Sequence, residues 1–395
     1  MRNHNKRLLG ASLATMLLST AVFAIYEPAP EERGQILSGD LRTRLEYDDN
    51  VWTTENDTQE SFKIILLPEV QLNYPVATTH LSLDYRLGFI WYDDRPQDDS
   101  DLNHDLDIDI SSEFSPRTRA NLTNIFRYGQ DPELDPNDVA KTRNEDFAYN
   151  STNLGVRQAL TETLDMGLAG RYFLYRYDEE VVADVLDRDT FVLGVDLRKE
   201  INPTSDGLIA YRYQDVDYTT TLKDSQSHYL LVGIDHQFNS RLMTHLVVGY
   251  ENRKFDTIDE VKDDDNAPYV DLNAVYNLSE KTMITGGYRF SMSDTDLSAF
   301  LISQRHGLYA HFTQTLTDRL FLRLAAQYDL NDYDEGDSPV AASGDEAFWR
   351  FSARLAYQIT EIVSAEAGYM FNDLASDYQR DYTRNRVYLG LRFTY

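Results

Sequence analysis

Residues 387–395 read Val387-Tyr388-Leu389-Gly390-Leu391-Arg392-Phe393-Thr394-Tyr395, and this stretch decides the fold. Val387, Leu389, Leu391, Phe393 and Tyr395 take every second place, and Arg386, Tyr388, Gly390, Arg392 and Thr394 fill the places between. Successive side chains of a strand point to opposite faces, so this strand offers one face to lipid and the other to water. The pattern recurs upstream. Leu81, Leu83, Tyr85, Leu87, Phe89 and Trp91 alternate with Ser82, Asp84, Arg86, Gly88 and Ile90, and Leu106, Ile108 and Ile110 alternate with Asp105, Asp107 and Asp109. A helix would set Asp105 and Asp109 beside Ile108 on one face, which an amphipathic helix does not tolerate.

Extended along the chain, the alternation predicts strands at 36–49, 61–74, 79–92, 102–115, 118–129, 147–160, 163–177, 189–201, 206–218, 226–238, 241–255, 267–278, 281–293, 301–316, 319–333, 345–359, 361–373 and 381–395. These are about eighteen, an even number, as expected of a bacterial single-chain barrel. The connections alternate short and long. Pro75–Thr78, Pro116-Arg117, Thr161-Glu162, Asn202–Ser205, Asn239-Ser240, Ser279-Glu280, Thr317-Asp318 and Thr360 are short; Asp93–Asp101, Gln130–Asp146, Asp178–Arg188, Asp256–Asn266 and Asp334–Gly344 are long. Barrels of the outer membrane have short periplasmic turns and long outer loops, so both termini are expected in the periplasm. The fold class expected is therefore all-β: a transmembrane antiparallel β-barrel of about 18 strands, in the cell outer membrane.

The first residues place the chain in an export route. Arg2, Lys6 and Arg7 precede an apolar stretch from Leu8 to Phe23 that ends in Ala21-Val22-Phe23-Ala24, the pattern of a secretory signal peptide. Its apolar run falls short of the roughly 20 residues of a spanning helix. Residues 1–24 are thus expected to be removed, 25–35 to form a short periplasmic segment, and 36–395 to form the barrel, which leaves no room for a plug or a periplasmic domain. Taking those three cations from the formal charge of −29 leaves −32 on the mature chain, so nucleic acid is not an expected partner. The absence of cysteine excludes a disulfide framework and thiolate metal sites.

Aromatic residues crowd the expected strand ends: Tyr47, Trp52, Tyr74, Trp91, Tyr92, Tyr128, Tyr177, Tyr213, Tyr218, Tyr250, Tyr333 and Tyr395. They read as girdles at the membrane interfaces, where an amphipathic ring meets both lipid and water.

The closing strand, Val387 to Tyr395, resembles that of outer-membrane porin-like proteins, most of which end in Phe where this chain ends in Tyr395. Near the start, Leu45-Glu46-Tyr47-Asp48-Asp49-Asn50-Val51 is similar to the opening of the group called putative beta-barrel porin 2. Some members of that group accompany exopolysaccharide export machinery. The resemblance therefore implies a saccharide role, with periplasmic export proteins as partners beside the outer-membrane lipids.

With the apolar set facing lipid, the opposite parity supplies the expected pore lining: Arg42, Arg44, Arg86, Asp105, Asp107, Asp109, Arg119, Arg157, Arg171, Arg198, Arg212, Arg289, Arg323, Arg350, Arg354 and Arg392. Arginines facing carboxylates set up a transverse field that selects solutes by charge and dipole. The same residues also read as lumen salt bridges that hold the barrel's shape, and both readings can hold at once. The late strands are Arg-rich and close against Arg42 and Arg44, so a basic side is expected at the closure seam, suited to anionic solutes or acidic sugar chains. Asp93, Asp94, Asp98, Asp99 and Asp101 read as a solvated acidic loop without EF-hand spacing, and no metal site is expected.

No catalysis and no cofactor are expected. His245 and His311 share the lumen parity, but sequence sets no nucleophilic Ser or paired carboxylates beside them, and neither a Gly-rich phosphate loop nor HExxH occurs. The leading reading is a pore for small hydrophilic or saccharide solutes, with Gln130–Asp146 as the longest candidate for a loop folded into the lumen. The alternatives are a barrel enzyme acting on envelope lipids and a structural or adhesive barrel displaying acidic outer loops.

Overall fold

The computed structural model describes residues 36–96, 98–130, 146–219, 223–256, 264–297, 299–334 and 343–395. The expected signal peptide and the segment 25–35 lie outside these residues, as does nearly all of the 130–146 loop. The strands are β1 (Leu37–Asp48), β2 (Ser61–Val76), β3 (Thr79–Tyr92), β4 (Ser100–Ser115), β5 (Thr118–Gly129), β6 (Phe147–Ala159), β7 (Leu164–Tyr177), β8 (Arg188–Asn202), β9 (Ser205–Tyr218), β10 (Ser225–Gln237), β11 (Leu242–Phe255), β12 (Asp264–Ser279), β13 (Thr282–Asp294), β14 (Ile302–Thr317), β15 (Leu320–Tyr333), β16 (Gly344–Gln358), β17 (Val363–Ser376) and β18 (Tyr382–Thr394). All are antiparallel neighbours in sequence order, and β1 pairs with β18 from Asp40 opposite Thr394 to Asp48 opposite Arg386. The ring is closed, so no strand edge is left with unpaired backbone groups in lipid.

Exposure is inverted relative to a soluble protein. On β1, Leu45 is 64% exposed whereas Glu46 is 3% exposed, and Leu389 of β18 is 66% exposed beside the buried Tyr388. The charged face is the concave one, because its contacts reach over intervening strands: Arg44 of β1 meets Glu366 of β17 at 2.6 Å, and Arg157 of β6 meets Asp196 of β8 at 3.1 Å. Strands run from 12 residues in β1 to 16 in β2, at or beyond the roughly 9–11 that cross a bilayer when tilted. Among the described residues no helix is long and apolar enough to cross a membrane.

The short turns share one local device. Ser115, Thr161, Asn202, Asn239, Ser279, Thr317 and Thr360 each accept, through a side-chain oxygen, the backbone N–H two residues on, at 2.8–3.3 Å. Such Asx- and Ser/Thr-turns give the chain a partner where the ladder ends. The first short turn differs, with Ala77 in the left-handed region at φ 51°. The first residue of β1, Leu37, and the last of β18, Thr394, lie at this short-turn end.

At the long-loop end the structure departs from expectation in two places. The 178–188 connection carries a one-turn-plus helix, α1 (Glu180–Leu186), whose Val182 and Leu186 pack on Phe147, Tyr149, Phe173, Tyr175 and Tyr177. A seven-residue helix is too short for its period to show in sequence. The aromatic girdle also needs correction: Tyr74, Tyr250 and Tyr395 are exposed, but Tyr92, Tyr177, Tyr218 and Tyr333 are buried inside the mouth. Tyr92, for example, donates to Asp101 at 2.7 Å and lies under Arg95. Position near a strand end does not decide the face; parity does, and Tyr92 follows the lipid-facing Trp91.

Candidate functional site

Closing β18 on β1 brings the first and last strands together as a basic seam. Arg44 donates from Nε to Glu366 at 2.6 Å, Arg42 lies 3.9 Å from the same carboxylate, and Arg354 of β16 also donates to it. Arg44 stacks over Tyr388 at 4.4 Å. Arg392 reaches Asp40 through Nε at 2.5 Å, and nearer the long-loop end Arg384 and Lys63 share Asp48 at 2.6 and 2.5 Å. Glu366 thus serves three guanidinium groups, and the seam keeps a surplus of positive charge.

The expected pore residues all lie on the concave face, in three groups. Arg42, Arg44, Arg323, Arg350, Arg354 and Arg392 occupy the strands around the seam, with Arg350 stacked over Phe348 at 5.3 Å. Arg86, Asp105, Asp107 and Asp109 form a mixed wall on β3 and β4, where Arg86 meets Glu69 at 3.2 Å and Arg127 meets Asp107 at 2.7 Å and Asp105 at 3.4 Å. Arg119, Arg157, Arg171, Arg198, Arg212 and Arg289 continue round from β5 to β13. Arg157 pairs with Asp196, Arg198 with Asp235 and Arg289 with Asp271.

Arg171 and Arg212 are held differently. Arg171 donates to Ser151 at 3.1 Å and Tyr149 at 3.0 Å and stacks over Phe173, while Arg212 lies over Tyr229 and Tyr269 at 5.3 and 5.8 Å. Among the described residues neither has a carboxylate in salt-bridge range.

The register adds a feature that parity alone did not reveal. Arg42 stands directly opposite Arg392, Arg323 opposite Arg354, and Arg119 opposite Arg157. Directly opposed side chains have Cβ atoms about 4.5–5.5 Å apart, and like charges there destabilise a sheet. All three pairs lie in the short-turn half of the barrel, next to the turns after β4, β14 and β16 in register.

Of the two histidines with lumen parity, His245 is buried against Asp235, which also takes Arg198, and His311 packs near Tyr309 at 5.6 Å between centroids. Among the described residues no group of three His, Cys, Asp or Glu is arranged to hold a metal ion. Sequence reasoning missed the polar network at the long-loop mouth. There Arg253 joins Glu251 at 3.1 Å and Asp294 at 2.9 Å, and Arg380 joins Glu346 at 2.6 Å and Asp296 at 2.8 Å. Glu251 and Arg253 share His245's parity, so that part was within reach; Arg380 and Asp296 sit in connections, where no period applies.

The profile of the family described as "Putative beta-barrel porin 2" matches residues 26–395. Acinetobacter baumannii OccAB4 superposes with a TM-score of 0.48 at 12% identity over 93% of this chain and 100% of that one. The outer membrane protein OpdK of Pseudomonas aeruginosa gives 0.46 at 9% identity over 91% and 99%, and OprD of the same organism 0.44 at 11% over 91% and 95%. A search of curated sequences found no match.

Proposed function

The chain belongs to the putative beta-barrel porin 2 family and is a porin-like barrel of the outer membrane, and on that premise we propose that it conducts small anionic hydrophilic solutes, acidic saccharides among them. The observation that carries this reading is the set of three opposed arginine pairs. A wall serving shape alone gains nothing from like charges face to face, whereas a passing carboxylate or phosphate is met by planar, charged donors at the half-buried Arg119–Arg157 and Arg323–Arg354 pairs, with the field of the buried Arg42–Arg392 pair added. Arg171 and Arg212, held by rings and hydroxyls, extend the same offer along β7 and β9.

Reversal potentials of single channels of the mature protein in a salt gradient test the proposal, with neutral and carboxylated sugars added in turn. Anion preference and block by the carboxylated sugar are expected; a clear cation preference overturns it.

Outward passage of acidic polysaccharide, handed over by periplasmic export proteins at the short turns, is a second form of the reading. It is favoured by the axial arrangement: opposed arginines occupy the short-turn half, while Asp93, Asp94, Asp98 and Asp99 lie at the other end. A polyanion is attracted at the basic end and repelled past the acidic one.

A further inference from the structure

The β13–β14 connection behaves as no other described connection does, because it is tied to walls on nearly opposite sides of the ring. On one side, Asp294 at its start takes Arg253 of β11 at 2.9 Å and lies 3.8 Å from Arg188 of β8. Lys223, in the β9–β10 connection, donates to the carbonyls of Leu297 at 2.8 Å and Thr295 at 3.4 Å. On the other side, Asp296 receives both terminal nitrogens of Arg380, in the β17–β18 connection, at 2.8 and 3.1 Å. Arg380 is itself fixed to the buried Glu346 of β16. Phe300 fills the remaining space, 1% exposed, between Tyr333 and Tyr378 at 4.9 and 5.2 Å between centroids.

From β8 to β18 is ten strands one way round the eighteen-strand ring and eight the other, so a segment touching both neighbourhoods spans the mouth. The segment is buried at Thr295, Asp296 and Phe300 and is held from both sides of the mouth by charge-assisted bonds, the stronger class of hydrogen bond.

We propose that residues 294–297 and 299–301 form the strap that sets the size limit of the channel, and that Arg380 is a positioning residue that holds it across the mouth. The inference rests on the channel reading above. It assigns the constriction to a connection of ordinary length, where the longer 130–146 loop was the sequence-based candidate.

The test compares conductance and the size of polyethylene glycol that enters the pore for the wild type, Arg380→Gln and Phe300→Ala. A cysteine-free chain also allows Ala299→Cys to be labelled with a charged thiosulfonate reagent, with incorporation scored by mass. Higher conductance and entry of larger polymers in the first two variants, with a fall in current on labelling the third, are expected. Current from the variants and none from the wild type also supports the strap. Wild-type conductance and polymer limit in both variants, with label incorporated and current unchanged, overturns the strap while leaving the channel reading intact. No current from any form overturns the channel reading and the strap with it.

Discussion

Glu366→Gln isolates the energetics of the seam. The carboxylate is 2% exposed in its side chain and has Arg44 at 2.6 Å, Arg42 at 3.9 Å and Arg354 in direct contact. A guanidinium about 4 Å from a carboxylate is attracted by roughly 4 kcal/mol at an effective dielectric near 20. Against that stands the desolvation of the buried carboxylate, several kcal/mol, which the isosteric amide avoids. What remains after substitution is three arginines repelling one another without their shared counter-ion. A net loss of about 3–5 kcal/mol is expected, as for other buried ion groups that lose one partner. With a urea slope of roughly 3 kcal/mol per molar, the unfolding midpoint of the barrel in lipid vesicles falls by about 1–2 M. Adding Arg354→Gln removes one of the repelling cations, so the double variant regains part of the loss, a coupling that a double-mutant cycle measures. A wild-type midpoint for Glu366→Gln, or strictly additive effects in the double variant, refutes the reasoning that one carboxylate holds the three cations together.

The opposed arginines predict a functional counterpart: Arg42→Gln with Arg392→Gln shifts the reversal potential toward cations with a smaller effect at high salt, because screening already weakens the field there. Lys223 lies outside the membrane-spanning strands, and burial pushes its ammonium down from 10.5 to about 8. Between pH 8 and 10.5 the unfolded chain holds this proton and the folded chain does not, so stability rises with pH through that window, by about 3 kcal/mol in all; Lys223→Met flattens the rise in thermal melts read at each pH. At Gly249 an added Cβ would stand 2.2 Å from the backbone oxygen of Leu230, whereas at Gly170 the nearest atom is 4.0 Å away. Gly249→Ala is therefore expected to lose about 1–3 kcal/mol in urea titration and Gly170→Ala much less. Intact mass of the secreted protein checks the leader: loss of Met1 to Ala24, with Ile25 as the new first residue, is expected, and a full-length mass counts against cleavage there.

Strands were legible because a barrel wall separates two solvents at every position. Leu389 and Arg392 cannot exchange faces without putting a guanidinium in lipid, so period two holds through the body of the strands and slips only near short-turn ends, as at Glu113/Ser115 and Thr315/Thr317. The eighteen observed strands differ from the alternation-based ones by a few residues at their ends, as at β12, which begins at Asp264 instead of residue 267. The same logic placed Arg42, Arg157 and Arg212 on the concave face. It stopped at the mouth, where a connection meets one solvent on all sides or folds inward. Asp294 to Leu301 carries no period to read, and nothing in Asp296 announces that Arg380, 84 residues on, closes over it.

Register, too, was beyond sequence. Parity assigned Arg42 and Arg392 to the interior separately; only the closing pairing shows that they face each other. That difference separates a scaffold from a device. Lumen charges elsewhere face opposite signs, as Glu113 does opposite Arg119 and Asp105 opposite Arg127, and also like signs, as Asp84 does opposite Asp107 and Asp206 opposite Asp235. The three arginine–arginine oppositions all fall in one half of the barrel, and Glu366, Asp40 and Asp196 stand nearby as partial counter-ions. Partial neutralisation keeps the barrel folded while leaving net positive charge for a solute to meet, so shape and selectivity draw on one set of residues. Removing an arginine from an opposed pair should therefore relieve the sheet and weaken anion preference together, whereas removing a carboxylate should strain the sheet and strengthen that preference.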